Sequence, residues 1–138
     1  MSSQIKEAPH ILVPREVKQT QIREIRQSDF TNLQNLRRLF ILQNNILQNI
    51  GEFAFATLPL LTDISISENL ALETIRAFAF SDLPELIEIE ITKSKHLISI
   101  HPDAFRNIVN LRRLTISNTG LRFFPDLSKI QSAAQDFL

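Results

Sequence analysis

The chain contains no cysteine, tryptophan or tyrosine, and only two glycines among its 138 residues. Without cysteine there can be no disulfide scaffold, no thiolate zinc site and no cysteine nucleophile. The two glycines stand apart, Gly51 after Ile50 and Gly120 in Asn118-Thr119-Gly120, so no glycine-rich loop is available to cradle a phosphate. Net charge is missing as well. Fifteen basic and fifteen acidic residues cancel, so no overall field draws the chain to nucleic acid or to an anionic membrane. No stretch approaches the ~18–20 apolar residues of a membrane-spanning helix. The N-terminal residues offer only Ile11-Leu12-Val13, short of the roughly 7–15 apolar residues of a signal peptide. No Asn-x-Ser/Thr sequon occurs.

What is present is ordinary in amount and skewed in kind. Apolar residues make up 43% and charged residues 22%, a globular balance, and the length suits one domain with a sizeable core. Eighteen Ile and nineteen Leu stand against three Val, with ten Phe. A few core positions are being filled again and again.

The period of that filling is 25 residues. Phe30, Phe55, Phe80 and Phe105 mark it. After each comes the same apolar ladder: Leu33, Leu36, Leu39, Ile41; Leu58, Leu61, Ile64, Ile66; Leu83, Leu86, Ile89, Ile91; Ile108, Leu111, Leu114, Ile116. A second pair precedes each Phe, namely Ile22 and Ile25, Leu47 and Ile50, Leu72 and Ile75, Leu97 and Ile100. Length and spacing match a leucine-rich repeat with one short strand per unit. The L-x-I step has period two, so it forms a strand with one face inward. The A-F-x-x-L-x-x-L stretch has three-residue spacing and fits a helical turn or 3₁₀ segment. One unit cannot bury its own ladder, whereas stacked units share a continuous core. The fold expected is an α/β solenoid of 25-residue repeats: a curved parallel sheet on the concave face, with short helical or extended segments on the convex face.

Asn44 and Asn69 take the position whose amide satisfies the backbone where the chain leaves the strand, and Ser94 and Thr119 follow as milder substitutes. Both ends depart from the rule. Residues 1–20 carry Pro9 and Pro14 and read as a degenerate N-terminal segment without a cysteine cap, with a first strand around 11–17. Residues 21–138 read as a solenoid of about four to five repeats, uncapped at its C-terminus. Asn118-Thr119-Gly120 shortens the spacing by one, which places Leu121 and Phe124 in the core and leaves Phe123 exposed. Uncapped ends imply a piece of something longer, with self-association through the exposed coils.

Alternation leaves three outward positions on each strand: Arg38, Phe40 and Leu42; Asp63, Ser65 and Ser67; Glu88, Glu90 and Thr92; Arg113, Thr115 and Ser117. They form three rows across the sheet, with an acidic centre at Asp63, Glu88 and Glu90, arginines on either side, and an apolar patch of Phe40 and Leu42 at one end. The pattern admits two interpretations. In one, the strip recognises a protein with a basic surface and Phe40 is its anchor. In the other, it is a solvated face on which Arg38–Asp63 and Glu88–Arg113 neutralise each other, worth about 0–1 kcal/mol a pair. His96 and His101 have no third ligand, so no metal site is expected. No cofactor motif and no enclosed acid–base pair is present, and no enzymatic activity is expected.

Several stretches go beyond a generic repeat. Ile66-Ser67-Glu68-Asn69, Leu86-Ile87-Glu88-Ile89-Glu90-Ile91 and His101-Pro102-Asp103-Ala104-Phe105 resemble the glycoprotein-hormone receptors. So does Ile116-Ser117-Asn118-Thr119-Gly120-Leu121, followed by Phe124-Pro125-Asp126-Leu127 and Lys129-Ile130. The likeness covers roughly residues 22–138 and is nearest the gonadotropin receptors of follitropin or lutropin type. The resemblance implies the extracellular, hormone-binding part of a seven-helix, G protein-coupled receptor of the plasma membrane. Its partner would be a heterodimeric cystine-knot glycoprotein hormone gripped by the concave sheet, with no nucleic acid and no membrane contact by this segment itself. The family's cysteine-rich cap, later repeats with a tyrosine-bearing hinge and transmembrane helices are not in this sequence. The alternative is a stand-alone leucine-rich-repeat module, secreted or cytoplasmic, for a different protein partner.

Overall fold

In the computed structural model, residues 15–56, 58–128 and 130 are described. Among them eleven strands follow in order: β1 Arg15–Lys18, β2 Glu24–Ile25, β3 Arg38–Leu42, β4 Asn49–Ile50, β5 Asp63–Ser67, β6 Thr74–Ile75, β7 Phe80–Ser81, β8 Glu88–Ser94, β9 Ser99–Ile100, β10 Phe105–Arg106 and β11 Arg113–Thr119. The longer ones form a five-stranded parallel sheet, β1-β3-β5-β8-β11. A four-stranded parallel sheet, β2-β4-β6-β9, and the pair β10-β7 close the coils behind it. Parallel pairing throughout is what a fixed period produces, because each coil lays the same segment beside its predecessor.

The expected repeat is the observed one. Leu39, Ile41, Ile64, Ile66, Ile89 and Ile91 point inward and are buried, together with Ile25, Ile50 and Ile75 from the four-stranded sheet. Phe30, Phe55, Phe80 and Phe105 form a spine through the core. Successive ring centroids lie 5.8, 5.2 and 5.1 Å apart. At such spacings aromatic rings gain from one another beyond the area they bury.

The three-residue spacing after each Phe has a different cause from the one expected. Among the described residues the one helical element is a 3₁₀ turn at Gln27–Phe30, ahead of the first Phe ladder. Elsewhere the spacing marks consecutive turns. Leu33 N–H donates to Phe30 O and Leu36 N–H to Leu33 O; Leu58 to Phe55 and Leu61 to Leu58 repeat the pattern, as do Leu86 to Leu83 and Leu111 to Ile108. Each bond spans three residues, so every third side chain returns to the core without a helix being built.

One residue takes a left-handed conformation just after β1, β3 and β5 (Gln19, Gln43 and Glu68) and at the next-to-last position of β8 and β11 (Lys93 and Asn118), with φ between 53 and 59°. The next residue satisfies the bend. Asn44 Nδ2 donates to Val17 O at 2.8 Å, and Asn69 Nδ2 to Ile41 O at 2.9 Å. Ser94, the milder substitute, accepts from Asn69 N–H at 3.3 Å and donates to Thr92 O at 3.2 Å. All three are fully buried.

Two departures concern the ends. β1 begins at Arg15, so most of the strand expected around 11–17 lies outside the described residues. Phe124, expected in the core, is 49% exposed, and Phe123 is 83% exposed. The core position is filled from further along: Leu127 and Ile130 pack against the cluster, Ile130 N–H donates to Leu127 O, and Ile108 N–H donates to Ile130 O. Pro125 lacks the amide N–H that a repeated Ala-Phe turn would use, and the coil contracts past it.

Candidate functional site

The outer face of the main sheet carries every residue singled out from the alternation. Its register places Arg38, Asp63, Glu88 and Arg113 in one row, Phe40, Ser65, Glu90 and Thr115 in the next, and Leu42, Ser67, Thr92 and Ser117 in the third. A constant 25-residue offset keeps like positions in line. The sheet is therefore an array of twelve chosen side chains, all half-buried except the exposed Arg38, Arg113 and Ser117.

β1 adds two residues that the sequence pattern does not reveal. Glu16 pairs with Phe40 and Lys18 with Leu42. Their offset is 24 rather than 25, which hides them from a search at the main period; the alternation around buried Val17 is the available signal. The apolar patch of Phe40 and Leu42 consequently lies inside the array, flanked by Glu16 and Lys18 on one side and by hydroxyl side chains on the other, and not at its end.

The charges are arranged unevenly. Arg113 Nη1 stands 3.4 Å from Glu88 Oε1, with 68% and 31% of the two side chains exposed. A pair so exposed contributes about 0–1 kcal/mol to stability, and either partner is available to a third group. Glu90 Oε1 accepts from the Ser65 hydroxyl at 3.0 Å. The expected Arg38–Asp63 pair does not form. Asp63 Oδ1 instead accepts from the neighbouring Thr62 hydroxyl at 2.6 Å, whose Oγ1 also reaches Arg37 O at 2.9 Å. Along the third row the Thr92 hydroxyl donates to Ser67 Oγ at 3.1 Å. The array thus keeps an acidic middle, an exposed arginine at Arg38, a half-buried aromatic ring at Phe40, and a hydroxyl margin.

Among the described residues no group of three or more His, Asp or Glu side chains is placed to hold a metal ion, and no helix is long and apolar enough to cross a membrane. The carboxylates that cluster lie on an open sheet.

No curated protein matches the chain. Among solved structures, the complex of Toll and Spatzle, described as a hub in Drosophila development and innate immunity, is similar with a TM-score of 0.48 and 19% identity. That match covers 78% of this chain and 17% of the other, so the chain spans less than a fifth of that relative. A family model described as a BspA type leucine-rich repeat region matches residues 15–131 in six copies, and the chain belongs to that family.

Proposed function

We propose that this chain is a protein-recognition module that holds its ligand against the outer face of the five-stranded sheet. The observation that carries the proposal is the register: a half-buried Phe40 stands in line with Ser65 and Glu90, beside the acidic pair Asp63 and Glu88. Aromatic anchors in a polar surround contribute most of the energy of protein interfaces, and complementary charge sets register and association rate. A leucine-rich-repeat solenoid is typically a protein-binding surface and not a catalyst. The ligand that fits is a protein with a basic patch and an apolar knob.

The narrower proposal is a heterodimeric glycoprotein hormone as that ligand, supported by Asn118-Thr119-Gly120 and Phe124-Pro125-Asp126-Leu127 in the order found in gonadotropin-type receptors. A stand-alone interaction module for another protein is supported equally by the family membership. Purified follitropin and lutropin titrated against the immobilised chain separate the two. Saturable binding to either, abolished in Glu88→Lys/Glu90→Lys with an unchanged circular dichroism spectrum, is the result the hormone proposal requires. Binding that survives the double reversal removes the face from the proposal, and absence of binding to both hormones removes the hormone.

A further inference from the structure

A second aromatic arrangement lies outside the main sheet, in the segments that follow β4 and β6. Phe53 and Phe78, one period apart, stack with ring centroids 5.1 Å apart and planes inclined by 12°. The guanidinium carbon of Arg106 stands 5.5 Å from the Phe78 centroid. Each coil contributes one layer, so the column runs Phe53, Phe78, Arg106 along the solenoid. Among the described residues no second aromatic ring stacks on Phe53, and the residue one period before it is the small Ser28. Phe53 is 38% exposed.

Two further observations mark this column. Both rings sit on left-handed backbone, φ 55° at Phe53 and 61° at Phe78, a conformation that bulky side chains avoid. The open end is also acidic. Exposed Glu52 precedes Phe53, and the Glu24 carboxylate is drawn over Gly51, its Oε2 2.8 Å from where a Cβ would stand. Glu24 keeps only a loose partner, Arg26 Nε at 4.0 Å. Glu52 also lines a groove of about 370 Å³ whose other lining residues, Thr74, Arg76 and His101 among them, come chiefly from the following coils.

We propose that the open face of Phe53 docks an arginine of a partner protein, on a surface separate from the main sheet. The guanidinium stacks on the ring as Arg106 does on Phe78, and Glu52 and Glu24 supply the opposing charge. A planar, weakly hydrated guanidinium suits an aromatic face better than a lysine ammonium does.

The test is a titration of the full chain with the peptide Ac-Gly-Arg-Gly-NH2 and its citrulline analogue, followed through the Phe53 ring resonances by NMR. Saturable shifts are expected with the arginine peptide, and binding weaker by about fivefold or more with the uncharged analogue. Ser28→Phe places a ring one period before Phe53 and, where NMR contacts show it stacked on Phe53, is expected to abolish the response. Glu52→Gln, at an exposed position, is expected to weaken it by about threefold while leaving Tm unchanged. Equal response to citrulline, no saturable shift with arginine, a response surviving Ser28→Phe with the new ring stacked on Phe53, or one undiminished in Glu52→Gln would each overturn the proposal.

Discussion

Asn69 Oδ1 accepts two hydrogen bonds from Asn44 one coil away, from its backbone N–H at 3.0 Å and from its Nδ2 at 3.1 Å. Asn44 Oδ1 in turn accepts from the Thr20 backbone at 3.0 Å and the Thr20 hydroxyl at 2.8 Å. These amides form a ladder perpendicular to the strands, and every member closes a bend that the sheet itself leaves open. Fully buried amides are tolerated only when so completely paired.

Removing one rung orphans two groups on the preceding coil. Asn69→Ala strips Ile41 O of its side-chain donor and Asn44 N–H of its acceptor, each worth about 1–3 kcal/mol when left unpaired in the interior. Urea denaturation should show a loss of about 2–5 kcal/mol for Asn69→Ala. Asn69→Ser should lose less, since Ser94 already performs part of the task in this chain. Equal losses for the two variants would contradict the ladder as a source of stability.

The aromatic spine makes a sharper demand. Phe80 lies between Phe55 at 5.2 Å and Phe105 at 5.1 Å and is fully buried. Phe80→Ala should cost about 3–5 kcal/mol by lost burial and cavity formation. Phe80→Leu, which keeps most of the volume, should cost distinctly less. A thermal melt of each variant checks both, and a cooperative transition at the original Tm for Phe80→Ala would contradict the register.

The two glycines should respond differently to the same change. A Cβ at Gly120 would stand 2.6 Å from Lys95 O and 3.2 Å from Leu97 O, which are backbone atoms unable to step aside. At Gly51 its nearest contact is the end of the Glu24 side chain at 2.8 Å, which can swing away, followed by Ile25 O at 3.0 Å. Neither glycine has a positive φ, so the difference is steric. Gly120→Ala should therefore lower stability by about 1–3 kcal/mol and Gly51→Ala by less, read from denaturant midpoints.

The rows of the main sheet are legible in the sequence because a strict 25-residue period carries its own register: Arg38, Asp63, Glu88 and Arg113 have to align once the ladder Leu39, Ile64, Ile89, Leu114 is recognised. The turns after each Phe are not, because three-residue spacing is shared by 3₁₀ helices and chained turns, and side-chain pattern alone does not separate them. The periodicity misplaces Phe124 because the contraction at Pro125 lets Leu127 and Ile130 reach the core instead. The left-handed residues are hidden, since Gln43, Glu68 and Lys93 stand where glycine would ordinarily announce such a bend. The stack of Phe53 on Phe78 is visible in principle, as two aromatics 25 apart, but the stronger spine two positions later obscures it.

The measurement that bears most directly on the central claim can be made before any ligand is identified. Binders are selected from a displayed random-peptide library against the folded chain, then tested against Glu88→Lys/Glu90→Lys and against Glu73→Lys, a position away from the main sheet. If the outer face of the sheet is the recognition surface, most selected peptides carry basic and apolar residues, lose affinity by about tenfold or more with the double reversal, and are indifferent to Glu73→Lys. Peptides that bind the double reversal as tightly as the original chain, with circular dichroism showing the same fold, would contradict it.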